Sequence, residues 1–294
     1  MSPRNRPGGS PHHSRGRPSF NLPFVKSQMG GQRKVVDNSV ACGQVGYGDL
    51  TKLAGARALV TGASSGIGAA TVRRLARLGA KPLLVGRDEQ ALDDLATETG
   101  GDRLAVDLRT PGVATEIAAW AGAVDLLVCN AGIGWAGPLD QQPLAGIDEL
   151  VTVNLTAHLA LARLLLPGMV TRHQGHLVLV SSIAGCLGVA DEAVYAATKA
   201  GLRTFADSVR LAHHEIGVTT VIPGVVDTPF FTRRGKAYDR TRPRPVTADQ
   251  VAAALVDAVQ HNKPEVFVPA WLRFPARLQG AFPALVHRLQ SRFG

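Results

Sequence analysis

ARALVTGASSGIGAATVRRLARLGA, residues 56–80, is the stretch that decides the fold. ARALVTGA (56–63) is an apolar run with strand character. From Ala63 the pattern becomes that of a turn followed by a helix, and Gly79 closes it. The turn, TGASSGIG (61–68), has the spacing Gly62-x-x-x-Gly66-x-Gly68, which differs from the G-x-G-x-x-G dinucleotide fingerprint. Between a first strand and a first helix, glycines let the backbone turn tightly and come close to a pyrophosphate. The helix N-terminus adds N–H groups and a positive dipole end. Ser64, Ser65 and Ile67 fill the remaining places of that loop.

The same alternation continues downstream. KPLLVGR (81–87) reads as a strand, and DEQALDDLATETG (88–100) as a helix with Asp88 as N-cap and Gly100 at its end. RLAVDL (103–108), TPGVATEIAAWAG (110–122) and VDLLVCNAG (124–132) read as strand, helix and strand. Residues 143–173 are a long apolar-periodic helix or a pair of helices. GHLVLVSSIAG (175–185) is a fifth strand, 191–216 a helix, and VTTVIPG (218–224) a sixth strand. Thr247 and Gln250 form a capping box that starts a helix to about Gln260, and EVFVPAW (265–271) is a last strand. Strict alternation predicts a doubly wound Rossmann-type α/β domain, with a parallel sheet of about seven strands over residues 51–271. There are no internal repeats.

Composition bounds the rest. The chain has 294 residues, 45% of them hydrophobic, and a net charge of +9. Residues 1–55 hold eight Lys/Arg against two acids, and the remaining 24 basic and 21 acidic residues leave +3 for the rest. The high pI thus belongs mostly to the N-terminal segment and does not make the folded part a nucleic-acid binder. Residues 1–50, rich in Pro, Gly, Ser and Arg, read as a disordered basic tail. A basic arm, a transit peptide, or translation that starts at Met29 or later are the other readings. Three cysteines without metal-ligand spacing (Cys42, Cys129, Cys186) point to a reducing, cytoplasmic setting and to no metal site. The longest apolar stretch, near 153–170, contains Asn154, His158 and Arg163, so no spanning helix is expected.

Candidate chemistry gathers at DEAVYAATKAG, residues 191–201. Four residues apart on a helix, Tyr195 and Lys199 share one face. A phenol has a pKa of about 10, and a neighbouring cation favours the phenolate. Bringing it to neutrality takes roughly 3–4 kcal/mol from the surroundings. Alone, this spacing is common in helices and carries little. The second strand ends Val85-Gly86-Arg87. Where an acid would accept from a ribose 2′-OH, Gly86 leaves room and Arg87 offers a planar donor fork suited to a phosphate, which favours NADP(H) over NAD(H). Asp107, followed by Leu108, ends the third strand and is suited to accept from an adenine amino group. Asn130 ends the fourth, where it can hold neighbouring strand backbone or the cofactor.

Taken together, TGASSGIG (61–68), Asp107, NAG (130–132), Asn154 in VNLTA, SSIAG (181–185), YAATK (195–199) and PGVVDT (223–228) resemble the short-chain dehydrogenase/reductase family over roughly residues 54–270. The resemblance implies a tetrad. Tyr195 is its proton donor in reduction. Lys199 holds the nicotinamide ribose and depresses the Tyr195 pKa. Ser182, thirteen residues before Tyr195, bonds the substrate oxygen. Asn154 anchors a water chain to Lys199. It also implies cofactor contacts from Ala131, Gly132, Pro223, Gly224 and Val226, and from Thr228 to the carboxamide. Two departures stand out: the 55 residues before the first strand, and the strongly basic stretch 229–246, which reads as a mobile loop.

Cys186, Leu187, Val189 and Ala190, with Trp135 as cover, read as an apolar pocket wall for a ketone, aldehyde or alcohol. The C-terminal extension 272–294 has Arg273, Arg277, Arg288 and Arg292 among apolar residues, and Pro275 and Pro283 divide it into two short helices. Such a segment packs on its own domain or on a partner subunit, or lies on an anionic membrane. The reading is a homo-oligomeric (dimer or tetramer) oxidoreductase of a small carbonyl or alcohol. Its rival is a catalytically idle dinucleotide-binding regulator on the same fold.

Overall fold

The computed structural model describes residues 52–236, 238, 243–284, 286 and 288. The N-terminal tail, Cys42, part of the basic stretch (237, 239–242) and most of the last ten residues lie outside the described residues, and with them the readings made for those segments.

Five strands alternate with helices in the first two thirds of the chain. They are β1 (Arg57–Thr61), α1 (Gly66–Arg77), β2 (Lys81–Gly86), α2 (Glu89–Thr99), β3 (Asp102–Ala105), α3 (Val113–Ala121), β4 (Leu126–Cys129), α4 (Leu144–Val151), α5 (Ala157–Thr171) and β5 (His176–Val180). Then come α6 (Ala193–Ala212), β6 (Gly217–Pro223), β7 (Val226–Asp227), α7 (Phe230–Arg233), β8 (Val246–Thr247), α8 (Ala248–Gln260), β9 (Glu265–Val268) and α9 (Arg273–Ala281). Seven strands form one sheet in the order β3-β2-β1-β4-β5-β6-β9, parallel at every pairing. The expected Rossmann-type sheet is present.

Period-two alternation sends each strand's side chains to both faces. On β1, Ala58 and Val60 join Val72 and Leu75 of α1 and Val251 and Leu255 of α8. Leu59 points the other way, into a core with Ile117 of α3, Leu161 of α5 and Leu202 of α6. With both faces covered, the strands read as continuous apolar runs. The order reverses between β1 and β4. A crevice opens there beyond the carboxyl ends of the strands, where α/β sheets of this type bind ligands.

The structure refines the expectation in one place, where the pair of helices is the form taken, and departs from it in two. Residues 143–173 are two helices joined by a π-turn, Thr152–Thr156, with Asn154 at its centre. Such turns insert one residue into a helix and re-aim a side chain. The run Leu144–Thr171 is long and apolar enough to cross a membrane by length and composition. Here its Asn154, His158, Leu161 and Met169 are buried in the domain. The stretch read as a loop from 229 holds the short helix α7, and β7 pairs with β8 across its base. Pro275 does not interrupt the C-terminal segment. It sits in the first turn of α9, where a missing N–H removes no helical hydrogen bond, and the helix ends at Phe282 before Pro283. The capping box stands as expected: Thr247 Oγ1 accepts from Gln250 N, and Gln250 Oε1 from Thr247 N.

Candidate active site

The glycine loop works by close approach. At Gly62 the backbone is left-handed (φ +66°), and a Cβ on Gly68 would lie 2.1 Å from the Gly62 carbonyl oxygen. No side chain fits between the first turn of α1 and the loop that feeds it. The α1 N-terminus therefore lies open to the crevice, with no acidic residue in its first turn and no side-chain cap from Ser65.

At the end of β2, a Cβ on Gly86 would meet Ser64 Oγ at 3.3 Å, so glycine there lets the loop fold over the strand end. Arg87 is 54% exposed, with its Nη1 4.0 Å from Asp107 Oδ2. Asp107 itself is held by Arg109, whose Nη2 donates to Oδ2 at 2.6 Å and whose backbone N donates to Oδ1 at 2.9 Å. These bonds keep the Asp107 carboxyl below the usual range, with Arg87 adding a smaller attraction. Arg109 also reaches Glu149 Oε1 at 3.1 Å. Sequence reasoning missed it. The two cations flanking a strand-end acid are visible only once β2 and β3 lie side by side.

A buried hydroxyl organises the next turn. Thr61 Oγ1 accepts from the backbone N of Asn130 (3.0 Å) and of Ala131 (3.1 Å). Asn130 Nδ2 donates to Thr61 O at 2.9 Å, so Asn130 does hold the neighbouring strand. Asn154 Oδ1 accepts from Ile133 N (2.8 Å), while its Nδ2 donates to Ile133 O (2.9 Å) and Thr198 Oγ1 (3.3 Å). The amide thus pairs with the turn like a strand neighbour. Behind it, His158 Nδ1 lies 3.2 Å from Asn154 O and Nε2 3.4 Å from Thr61 Oγ1. A carbonyl only accepts, so Nδ1 carries the proton. Burial pushes His158 down to about 3, with the Lys199 charge adding to the effect, and it stays neutral. Thr61 and Thr198 lie within TGASSGIG and YAATK but drew no role of their own there, and a lone histidine such as His158 on an apolar segment reads as core.

Tyr195 and Lys199 stand on one face of α6, as their spacing predicts. The Lys199 Nζ is 5.8 Å from the Tyr195 ring centroid and donates to Val180 O at 2.9 Å. Ser181 Oγ donates to Lys199 O at 2.8 Å and pins the helix to the end of β5. A Cβ on Gly132 would come within 3.4 Å of Lys199 Nζ and 3.5 Å of Asn154 Oδ1, so the ammonium, that amide and the turn converge. The electrostatics differ from the expected depressed phenol. Burial pushes the Tyr195 phenol up to about 12, with a hydrogen bond to Ser182 opposing it. Burial also brings Lys199 down to about 8. Both groups are nearly sealed from water, and desolvation disfavours the charged form of each.

One cleft of about 1150 Å³ runs from Arg87 past the glycine loop to Tyr195. The expected residues line it, with two exceptions. Gly68 lies beneath the loop and Asn154 behind the turn, and each acts through its neighbours. Leu187, Val189 and Ala190 are on the wall, but Trp135 and Cys186 are not. Trp135 packs with the Tyr195 and Leu150 cluster, and Cys186 with Ile222, Phe267 and Leu272. Their places are taken by Ile133, Phe230 and Phe231. The Phe230 and Tyr195 ring centroids are 5.5 Å apart. Arg234 forms a largely buried ion pair with Glu192, immediately before α6, and lies 4.6 Å from the Phe231 ring centroid.

An elongated crevice at a switch point, glycines where a Cβ would collide, and an open helix N-terminus fit a dinucleotide. They define an α/β protein of the nucleotide-binding Rossmann class. Residues 56–239 match the short chain dehydrogenase family. Dehydrogenase/reductase SDR family member 7B of Mus musculus is 33% identical over 238 residues, covering 72% of this chain and 74% of that protein. A short-chain dehydrogenase from Sphingobium yanoikuyae, solved in complex with NADPH, aligns at 30% identity with a TM-score of 0.70, over 79% of this chain and 95% of its own. A family member from Burkholderia phymatum, solved in complex with NAD, gives a TM-score of 0.71 at 23% identity over 80% and 96%, a likeness of fold alone. The chain belongs to the short-chain dehydrogenase/reductase family of oxidoreductases, whose fold binds NAD(P).

Proposed function

We propose that this chain is an NADP(H)-dependent oxidoreductase that interconverts an apolar ketone or aldehyde with its alcohol, with Tyr195 as general acid and base. The observation that carries this reading is the meeting of Ser182, Tyr195 and Lys199 on one wall of the cleft that the glycine loop opens. The nicotinamide, when bound, supplies or accepts the hydride. The protein's part is to place and neutralise charge. As a carbonyl oxygen gains alkoxide character, the Tyr195 phenol donates its proton. Ser182 Oγ accepts from Ala184 N at 3.2 Å, and its own proton, bonded to Tyr195 in this structure, turns to the same oxygen when the substrate is bound. With burial holding the phenol near 12, Tyr195 rests as the protonated donor, and the Lys199 ammonium stabilises the phenolate that remains after transfer. Asn154 holds the turn through Ile133 and Thr198, and on this reading it anchors the water that resupplies protons to Lys199.

NADP(H) preference rests on Arg87, whose exposed guanidinium lines the cleft where Gly86 and Ser64 leave room for a 2′-phosphate. An apolar substrate is supported by Ile133, Leu187, Val189 and Phe230. Exposed Leu144, Val151, Leu164 and Leu211 on α4, α5 and α6 support self-association, and the free Cys129 and Cys186 support a reducing, cytoplasmic setting.

The test is NADPH oxidation against a panel of apolar ketones and aldehydes, with NADH as comparison. Tyr195→Phe is expected to abolish turnover while NADPH still binds. Arg87→Ala is expected to weaken NADPH by about tenfold and leave NADH unchanged. Binding without turnover, equal in wild type and Tyr195→Phe, would replace the enzyme with a nucleotide-binding regulator.

A further inference from the structure

The basic stretch from Pro229 begins with three cations, and they are treated differently. Arg234 pairs with Glu192, and Lys236 Nζ lies 3.9 Å from Asp191 Oδ2. Arg233, at the end of α7, has no carboxylate partner among the described residues. Its Nη1 donates instead to Ser65 Oγ at 3.4 Å, and its side chain lines the cleft. Ser65 is the residue before α1, a helix of twelve residues with no acid in its first turn. A guanidinium held there faces a helix dipole of its own sign, an unfavourable placement unless an anion lies between. The chain just before α7 is fixed at the same spot: Thr228 Cγ2 sits 3.0 Å from where a Cβ on Gly66 would stand. The arm that carries Arg233 is therefore packed against the loop it overhangs.

We propose that Arg233 is a clamp on the dinucleotide diphosphate, reaching over it from α7 while the α1 N-terminus holds it from below. The inference rests on the dinucleotide reading of the cleft and adds a binding residue to it. The role differs from that of Arg87, which stands at the end of β2. Arg87 would discriminate between cofactors by the 2′-phosphate, whereas the diphosphate is common to both. Phe230 rides on the same short helix as Arg233 and stacks beside Tyr195, so an anion drawn to Arg233 also fixes one wall of the substrate side.

The full chain is titrated with NADPH, NADH and 2′-AMP, following intrinsic fluorescence, at low and high salt. 2′-AMP carries the 2′-phosphate and no diphosphate. Arg233→Ala is expected to weaken NADPH and NADH by the same factor, about tenfold, and to leave 2′-AMP unchanged. Arg233→Lys is expected to fall between, keeping the charge without the fork. Arg87→Ala is expected to give the opposite pattern, weakening NADPH and 2′-AMP and sparing NADH. Wild-type affinity of Arg233→Ala for both dinucleotides would overturn the clamp, and so would a loss confined to NADPH and 2′-AMP. If the wild type binds neither dinucleotide, the reading of the cleft fails first and the clamp falls with it.

Discussion

Replacing Lys199 with methionine is expected to make the protein more stable and inactive. The side chain is 3% exposed, and burial lowers its ammonium from about 10.5 to about 8. At pH 7 both folded and unfolded chains carry the proton, so the folded state bears the whole desolvation penalty, about 3 kcal/mol. Methionine has similar length and no charge to bury. It leaves the Val180 carbonyl without its donor, which costs about 1–2 kcal/mol. The net gain is then about 1–2 kcal/mol, or a Tm about 3–6 °C higher for a domain of this size. The pH dependence separates this cause from general packing. A base whose folded pKa is depressed gains folded-state stability as pH rises, here from about 8 towards 10.5. The wild type therefore catches up with Lys199→Met, and the gap closes by about 2 kcal/mol between pH 7 and 9.5. Thermal and urea unfolding of both proteins at pH 7, 8.5 and 9.5 reads this directly. A gap that does not change with pH, or a variant less stable at pH 7, would refute the reasoning.

Acid should act through two other buried bases. Burial holds His158 and His176 down at about 3, against about 6.5 in an unfolded chain, so the stability they confer is complete above pH 6.5 and lost as pH falls towards 3. His176→Gln is expected to lower the slope of unfolding free energy against pH between 6 and 4 by close to one proton, and an unchanged slope would remove His176 from the account. Gly68→Ala is expected to weaken dinucleotide binding at least about tenfold and to lower Tm, because its Cβ meets the Gly62 oxygen at 2.1 Å and Asn130 Nδ2 at 2.7 Å. Gly280→Ala, in helix α9 with open space around it, is the control expected to leave dinucleotide binding unchanged and not to lower Tm.

Local signals made most of the fold legible. The apolar runs, Asp88 and Gly100 at the ends of α2, and the Thr247/Gln250 box all act within a few residues of themselves, and all stand where the pattern puts them. The π-turn at Asn154 was hidden because one extra residue barely disturbs a 3.6-residue period. Helix α7 was hidden because it is held by Phe230 packing on the Tyr195 cluster, a contact between residues 35 apart in sequence. Glycine loop and Tyr195/Lys199 pair were readable because their spacing is their geometry. Arg109, His158 and Arg233 were not, since each gains meaning only from a partner on another element: Glu149, Thr61 and Ser65 respectively.

The sign of the Tyr195 and Lys199 shifts bears on how such a site is maintained. Tyr195 near 12 and Lys199 near 8 are both moved towards their neutral forms, so the folded protein holds this pair against its own preference for an uncharged core. The structure that holds them is not local to α6. Ser181 ties the helix backbone to β5, the Val180 carbonyl accepts a hydrogen bond from the ammonium, and Asn154 ties Thr198 to the turn after β4. That turn is in turn fixed to β1 through Thr61. The carboxyl ends of the three central strands thus share one buried hydrogen-bond network. It keeps a destabilising charge at the place where, on the proposed mechanism, a negative oxygen forms.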